Sequence, residues 1–406
     1  MSEVLEKRIL NIDKSDWTST KLFDLAEEIS ERADNPGQSE YERFVGLEHF
    51  VSGDLKIKNW GSTKDLGSSM KIFKAGDVLF ARRNAYLRRA SLVDFKGICS
   101  GDAFVLRENH EKIVPGFLAF VLNSDALWDY ANSNAAGTMS KRVKWRDLGE
   151  YEILLPPKNR QTQLAELLWA ADHVVEKEMQ LLNNLSESFD SEIEYLIHGI
   201  SIKLKTINQV IEELRGKIKL ERLENLGTFL KGKGIPKSDV QQEGIPCIRY
   251  GELYTKHHRI IREYYSFISK KIAKEGFRLK KNDVLFAGSG ETIEEIGKSA
   301  AFVDDAEVYA GSDTLIFRPD NMNGIYLGYL MNSGLVRYQL NKYGTGATVM
   351  HIYSSDLKKI LVPKIEREEQ DRIAERLESF QLSRKNAESQ IHQSRRLQKS
   401  LINQIF

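Results

Sequence analysis

The chain lacks any run of about 18 apolar residues, the length that a membrane-spanning helix needs, so we expect no membrane span. The residues after Met1 also lack the apolar region of a signal peptide, so we expect no secretion signal. Cysteine is scarce, since Cys99 and Cys247 are the only two in 406 residues. Their positions indicate neither a disulfide nor a metal site, and reduced thiols favour a cytoplasmic location.

A net excess of charge of either sign is lacking as well. Lysine and arginine together number 59, against 58 aspartates and glutamates, which gives a formal net charge of +1. This balance excludes a uniformly basic protein that coats nucleic acid, but it allows local basic patches. The length is sufficient for about two to four domains, each with its own core.

What the sequence does contain is a two-fold internal repeat with a spacing of about 209 residues. Segments of the first half return in the second half with similar sequence and in the same order. The matched pairs are 74–81 with 280–287, 101–107 with 312–318, and 117–124 with 326–333. A repeat of this length is a duplicated domain, because solenoid arrays use shorter periods. Two related but non-identical domains predict a protein that reads two related objects.

The first part of each copy has the pattern of short strands joined by turns. The apolar runs 78–80, 104–106 and 153–155 are each bounded by Gly, Asp, Asn or Pro. Short helices are predicted at 115–123 and 326–332. In each copy this part ends at a proline, Pro156 in the first and Pro363 in the second.

A long helical pattern follows each proline. Alternate steps of four and three residues from Leu164 meet apolar residues at eight of ten positions, and the same steps from Ile373 meet seven. The predicted seam residues are Leu168, Val175, Leu182, Leu185, Phe189, Leu377, Phe380, Ile391 and Leu401. Sustained heptads of this kind favour a coiled coil. A helix packed only on its own domain is the alternative, but about 38 residues span about 57 Å, which exceeds a small domain.

The sequence therefore predicts an α+β protein with two mixed α/β domains and two long helices that pair as an antiparallel coiled coil. The internal repeat makes the chain a pseudo-two-fold dimer of itself. The expected boundaries are 1–16 for an N-terminal segment, 17–157 for the first domain, 158–199 for the first helix, 200–220 for a linker, 221–363 for the second domain and 364–406 for the second helix.

The junctions between proline and helix resemble those of the specificity subunits of type I restriction–modification systems. Residues 155–161 read Leu-Pro-Pro-Lys-Asn-Arg-Gln, and the second copy has Val362 and Pro363 followed by Glu369 and Gln370. In that family an apolar strand and a proline precede a short spacer, a glutamine and a long apolar-rich helix. Arg160 stands where the family usually has Glu. The resemblance extends over nearly the whole chain.

The resemblance implies a function without an active site in this chain. Each domain is then a target recognition domain that reads one half of a split double-stranded DNA sequence. The paired helices recruit two DNA methyltransferase subunits, which methylate adenine N6 with S-adenosylmethionine. Separate restriction subunits translocate and cut DNA with ATP. For this chain the resemblance implies no cofactor, no metal and no catalytic residue.

Two segments of the first copy have the composition of a DNA-binding surface. Arginine reads guanine and asparagine reads adenine through paired hydrogen bonds, while closely spaced cations and hydroxyls bind phosphates. The candidate residues are Arg82, Arg83, Asn84, Tyr86, Arg88, Ser140, Lys141 and Arg142. A solvated charged loop with no DNA contact is the alternative for either segment.

The corresponding loops of the second copy differ most from the first, as two different half-sites would require. They are rich in glycine, whose backbone amides can approach phosphates closely. The candidate residues are Lys231, Lys233, Arg249, Tyr250, Ser289, Thr345, Thr348 and His351. Any surface loop diverges, so the difference alone does not prove a role in recognition.

Two other classes of protein stay possible on the sequence alone. A fused restriction or methylation enzyme needs an intact cofactor or nucleotide motif, but Phe286–Gly290 and Gly297–Ser299 only imitate such motifs. The adjacent pair His257 and His258 is expected to be exposed and not to bind metal, because no partner ligand lies nearby in sequence. A coiled-coil scaffold whose two domains bind proteins is the second alternative.

Overall fold

The computed structural model describes residues 12–198, 219–290, 292, 295, 297–343 and 350–406. The chain divides into two compact units. Unit 1 contains residues 1–181 and 387–406, and unit 2 contains residues 182–386. Each unit therefore combines one mixed α/β domain with parts of both long helices.

Among its described residues, unit 1 holds three sheets of mixed size. Their eleven strands are β1 (Thr18–Lys21), β2 (Ala26–Ile29), β3 (Arg32–Ala33), β4 (Arg43–Val45), β5 (Gly61–Ser62), β6 (Met70–Phe73), β7 (Val78–Ala81), β8 (Ala90–Leu92), β9 (Gly97–Cys99), β10 (Ala103–Glu108) and β11 (Glu152–Leu155). The strand orders are β1-β11, β2-β10-β7-β8 and β3-β6-β9-β4-β5. The β4–β9 pair is parallel and the other named pairs of this unit are antiparallel.

Unit 2 holds sheets of closely related topology. Its strands are β12 (Leu220–Arg222), β13 (Gly227–Lys231), β14 (Ile245–Ile248), β15 (Arg259–Ile261), β16 (Ser266–Ile268), β17 (Phe277–Arg278), β18 (Val284–Ala287), β19 (Ser289–Gly290), β20 (Ser299–Phe302), β21 (Tyr309–Ala310), β22 (Thr314–Pro319), β23 (Met350–His351) and β24 (Leu361–Pro363). The orders are β12-β24, β13-β22-β18-β20-β15, β16-β14-β21-β17 and β19-β23. The run β13-β22-β18-β20 matches β2-β10-β7-β8 of unit 1 strand for strand.

The helices within the domains are short, and a long helix follows each domain in sequence. They are α1 (Leu22–Leu25), α2 (Leu118–Val121), α3 (Asp125–Ser133), α4 (Trp145–Leu148), α5 (Lys158–His198), α6 (Glu252–Thr255), α7 (Lys270–Glu275), α8 (Gly324–Leu330), α9 (Gly334–Tyr343), α10 (Ser354–Leu357) and α11 (Arg367–Ile405). None of the helices in the described ranges is long and apolar enough to cross a membrane.

An ion pair between a buried aspartate and a partly exposed arginine joins the central strands of each unit in the same way. Asp77 precedes β7 and accepts hydrogen bonds from Nε and Nη2 of Arg107 on β10, both at 2.8 Å. Asp283 precedes β18 and accepts from the same two atoms of Arg318, the Nε bond being 2.8 Å and the Nη2 bond 2.6 Å. Both carboxylates are buried, so each needs its arginine to offset the cost of desolvation.

The two long helices run antiparallel within each unit. In unit 1, Asp172 of α5 accepts from Gln398 of α11 at 2.9 Å, and Glu178 accepts from Ser394 at 3.1 Å. In unit 2, the rings of Phe189 and Phe380 lie 5.6 Å apart, and Glu192 pairs with Arg376. Within each unit, the residue numbers of the contacts in α11 fall as those in α5 rise, so the two segments are antiparallel.

The seam residues predicted from the heptads are all buried or half-buried. Leu168, Val175, Phe189, Leu377 and Leu401 are buried, and the other four are half-buried. Leu168 joins Leu401 in the unit 1 core, while Phe189 joins Leu377 in the unit 2 core. The helices thus pack both on their domains and on each other. On the sequence alone, these two kinds of packing were alternatives.

A buried glutamine links the first turns of each long helix to its domain. Gln161 donates to the Pro156 carbonyl at 2.9 Å and accepts from the Val114 amide at 2.9 Å. Gln370 makes the matching bonds to the Ile365 carbonyl and the Asn323 amide, also at 2.9 Å. A buried amide that satisfies two backbone groups holds the first helical turn against the preceding loop.

Candidate nucleic-acid interface

The two DNA-binding segments proposed for the first copy meet at one end of the β7–β10 ladder. The Arg82 amide donates to the Asp102 carbonyl at 3.0 Å, and the Val143 amide donates to the Arg82 carbonyl at 2.9 Å. The Asn84 amide donates to the Lys141 carbonyl at 2.9 Å. These backbone bonds bring residues 82–84 and 140–143 beside the turn that holds Asp102.

Three arginines surround the Asp102 carboxylate. Arg142 donates to it from Nε at 2.7 Å and from Nη2 at 3.0 Å. Such a bidentate pair of charged groups is stronger than hydrogen bonds between neutral groups. Arg82 Nε lies 3.8 Å from Oδ1, and Arg83 Nη1 lies 3.7 Å from Oδ2. The hydrogen bonds from Arg142, with the charges of all three arginines, lower the pKa of Asp102. One carboxylate thus orients a group with net positive charge.

The side chains of Arg82 and Arg83 stay partly exposed, at 32% and 41%. Arg83 Nη2 donates to Ser140 Oγ at 3.2 Å, and the Arg82 guanidinium lies 5.5 Å from the Phe104 ring centroid. The Nε atoms of Arg82 and Arg83 are buried without a hydrogen-bond partner among the described residues. Lys141 is exposed beside them. We call residues 82–84, 102 and 140–142 the arginine cluster.

Arg88 and Tyr86, two candidate DNA-binding residues of the first copy, lie outside the arginine cluster. Arg88 pairs with Asp125 and Asp129 of α3, with Nη2 3.0 Å from Asp129 Oδ1. Tyr86 is exposed on the 3₁₀ turn 85–87. Asn84 and Arg88 flank this turn with φ of 54° and 48°, so both occupy the left-handed region, which Asn tolerates better than Arg.

Unit 2 repeats the backbone arrangement of the arginine cluster with different side chains. The Gly288 amide donates to the Asp313 carbonyl at 3.2 Å, and the Ile352 amide donates to the Gly288 carbonyl at 3.1 Å. Ser289 pairs with His351 in the β19–β23 ladder, as Arg83 bridges to Arg142 in unit 1. By these bonds Gly288, Ser289 and His351 occupy the positions of Arg82, Arg83 and Arg142.

A small cavity lies at this point of unit 2. It has a volume of about 160 Å³, and its lining includes Lys231, Ser289, Asp313, His351 and Tyr353. Lys231 Nζ lies 4.0 Å from Asp313 Oδ1, and the His351 ring stacks on Tyr353 with centroids 6.5 Å apart. Hydroxyl, imidazole, ammonium and carboxylate groups therefore share one accessible concavity, which we call the Asp313 cavity.

The other predicted residues of the second copy make separate contacts. The Lys233 amide donates to the Ala310 carbonyl at 3.2 Å. Arg249 and Tyr250 follow β14, where the Tyr250 ring lies 6.3 Å from that of Tyr254. Thr345 and Thr348 lie outside the described residues, so their prediction stays untested.

One residue of the segment 297–299, which imitates a phosphate-binding motif, is part of a strand in the structure. Ser299 lies buried in β20, where its carbonyl and hydroxyl accept hydrogen bonds from Asn332. The expectation of an exposed histidine pair is wrong for His257, which is buried with Nε2 3.8 Å from Glu252. Among the described residues there is no group of three or more side chains that could hold a metal ion.

Sequence reasoning missed three residues that the structure places at the centre of these sites. Asp102 and Asp313 are the same residue of the repeat, and their identity in both copies was the available signal. Tyr353 carried no such signal, because its stacking on His351 depends on the local backbone.

Comparisons with known proteins agree with the mixed α/β fold of the recognition domains. Residues 216–393 match the family model described as the type I restriction modification DNA specificity domain. The chain is 23% identical to the MjaVIII type I restriction enzyme specificity subunit of Methanocaldococcus jannaschii, over 70% of this chain and 68% of that protein.

Two solved structures are similar over nearly their whole length. One comes from work on complex assembly and conformational transition of the type I restriction–modification system, with a TM-score of 0.61, 19% identity, and coverage of 96% of this chain and 97% of that chain. The other is a type I restriction–modification S subunit from M. genitalium, with a TM-score of 0.55, 14% identity and 98% coverage of both chains. Taken with the sequence matches, they show that this chain has the fold of type I restriction–modification specificity subunits and is similar to them over most of its length, and that residues 216–393 match the DNA specificity domain of that family.

Proposed function

We propose that this chain reads a bipartite, asymmetric sequence in double-stranded DNA, with one recognition domain for each block of bases. The observation that carries the proposal is the recurrence of one backbone arrangement in both units with different side chains. Arg82, Arg83 and Arg142 in unit 1 are replaced by Gly288, Ser289 and His351 in unit 2. Different donors and acceptors on one framework suit two different half-sites.

Phosphate contacts supply much of the affinity in this proposal, and base contacts supply the specificity. The exposed Lys141 suits a phosphate, while the guanidinium groups of Arg82 and Arg83 suit the O6 and N7 atoms of guanine. In the second domain we assign the same task to Lys231, Ser289 and His351. The outlying residues Tyr86, Arg88, Lys233, Arg249, Tyr250, Thr345 and Thr348 stay as further candidates for DNA contact.

The two long helices form an antiparallel coiled coil that recruits the partner subunits in this proposal. Two similar segments of coil offer two docking surfaces, so the chain binds two methyltransferase subunits, and restriction subunits join that complex in the cytoplasm. The recognition domains are assigned to 17–157 and 221–363, and the helices to 158–199 and 364–406. The hydrogen bonds from Gln398 to Asp172 and from Ser394 to Glu178 support the antiparallel direction.

The experiment that tests this function measures DNA binding by the chain assembled with its methyltransferase subunits. We expect binding that prefers one bipartite sequence and weakens steeply as the salt concentration rises. A protein scaffold would show neither preference nor salt dependence. A fused enzyme would turn over S-adenosylmethionine or ATP in the pure chain, and would lose that activity on Gly288→Ala or Lys298→Ala.

A further inference from the structure

Asp102 and Asp313 occupy the same place in the two units. Each backbone carbonyl accepts a hydrogen bond from the first residue after the Val-Leu-Phe-Ala strand, Arg82 at 3.0 Å in unit 1 and Gly288 at 3.2 Å in unit 2. Each residue also stands directly before the strand that pairs with that segment. Asp102 and Asp313 are therefore equivalent residues of the two units.

The cations that neutralise Asp102 have no counterpart at the matching positions of unit 2. Gly288 offers no side chain, and a Cβ added there would lie 2.8 Å from the Asp313 carbonyl oxygen, so the position favours glycine. Ser289 is neutral and reaches a shorter distance than an arginine. His351, in the place of Arg142, stacks on Tyr353. The carboxylate of Asp313 is thus left accessible by the residues around it.

The Asp313 carboxylate is more exposed than that of Asp102 and lies farther from its cationic neighbour. The Asp102 side chain is 20% exposed, whereas the Asp313 side chain is 61% exposed. Lys231 Nζ lies 4.0 Å from the Asp313 oxygen, which is too long for a hydrogen bond. Asp313 has φ of +61°, and its turn places it at the rim of the Asp313 cavity beside Ser289 and His351.

We propose that Asp313 determines specificity in the second half-site by accepting a hydrogen bond from the N4 amino group of a cytosine. This inference rests on the proposed function. A carboxylate accepts hydrogen bonds and cannot donate them, so it rejects the guanine edge, which presents the acceptors O6 and N7. Adenine offers an N6 donor, but its N7 acceptor lies beside that donor and repels a carboxylate. Cytosine presents its amino donor without a neighbouring acceptor in the major groove.

The test compares the chain and its Asp313→Asn variant, each assembled with methyltransferase subunits, on a pool of duplexes that vary every base of the bound site. Asparagine keeps the size of the side chain but adds a donor, which suits adenine. We expect preference for cytosine at one position of the second block to fall by roughly 5- to 100-fold in the variant, with adenine gaining. Ratios between bases within one sample do not depend on how much protein is active.

Two control variants separate this role from general effects of charge. Asp320→Asn removes an exposed carboxylate at the other end of β22 and should leave every base preference unchanged. Asp102→Asn alters the arginine cluster and should leave the second block unchanged.

Three results would overturn the inference. They are an unchanged motif in Asp313→Asn, an equal loss of affinity for all sequences, and a second block without cytosine in the unaltered chain. If the unaltered complex shows no sequence preference, the proposed function itself fails, so the two failures are distinguishable.

Discussion

Asp102 accepts two hydrogen bonds from Arg142, one from Nε at 2.7 Å and one from Nη2 at 3.0 Å, across forty residues of sequence. This pair, with Arg82 and Arg83 beside it, sets the electrostatics of the first candidate DNA-binding surface. Without the carboxylate, three guanidinium groups would repel one another within a few ångströms.

The first prediction concerns stability against pH. Because the folded state lowers the pKa of Asp102, its ion pairs stabilise the protein above the unfolded pKa of about 3.9, and that stabilisation is lost as the pH falls through the folded value. Asp102→Asn should therefore lower the thermal midpoint of unit 1 at pH 7, and the difference from the unaltered chain should shrink toward pH 3.

The control for this prediction is Asp65→Asn, which removes an exposed carboxylate from the same unit. It should leave the midpoint at pH 7 nearly unchanged. A deficit of Asp102→Asn that stays constant from pH 7 to pH 3, followed by circular dichroism, would show that the charge of Asp102 is not responsible.

The second prediction separates base readout from phosphate binding. Arg82→Ala should weaken binding of the assembled complex by about 1–3 kcal/mol and relax preference at one base of the first block. Lys141→Ala should weaken binding to all sequences equally and reduce the slope of affinity against salt by about one. Titrations at several salt concentrations measure both effects. If both variants bind as the unaltered chain does, the interface lies elsewhere.

The third prediction concerns the two thiols. Burial raises the pKa of Cys99 to about 12 and that of Cys247 to about 12, and neither is in a disulfide. A thiol reagent at pH 8 should therefore label neither cysteine in the folded chain, and both after denaturation. Rapid labelling of Cys99 in the folded chain would contradict the position of β9 between β6 and β4.

The fourth prediction concerns the glutamine at the start of α5. Gln161→Leu leaves the Pro156 carbonyl and the Val114 amide without their side-chain partner, which should cost about 1–3 kcal/mol in the free energy of unfolding. Urea unfolding measures this loss. Gln163→Leu is the matched control, since Gln163 is exposed two residues along the same helix, and it should cost far less. Equal losses would indicate helix propensity as the cause.

Much of the fold could be predicted from the sequence because its signals are local. The repeated Val-Leu-Phe-Ala run lies in β7 and in β18, and the heptads after Pro156 and Pro363 lie in α5 and α11. Strand pairing and heptad seams follow from which residues are apolar and how they are spaced.

The candidate sites were harder to predict because they are assembled by non-local pairing. Arg83 and Arg142 meet only through the bridge between their segments, and Asp102 joins them from a third segment. Spacing in sequence does not reveal such contacts. Arg88 belongs to the same basic run of the sequence, yet its guanidinium pairs with Asp125 and Asp129 of α3, a contact that the run itself does not predict.

The most direct test of the central claim, a bipartite and asymmetric target, is methylome sequencing of cells with and without this chain. We predict a methylated motif with two short, different blocks of specified bases separated by several unspecified base pairs, and its loss when the chain is absent. A motif that forms one continuous block or a perfect palindrome would contradict the account, as would a methylome that is unchanged without the chain.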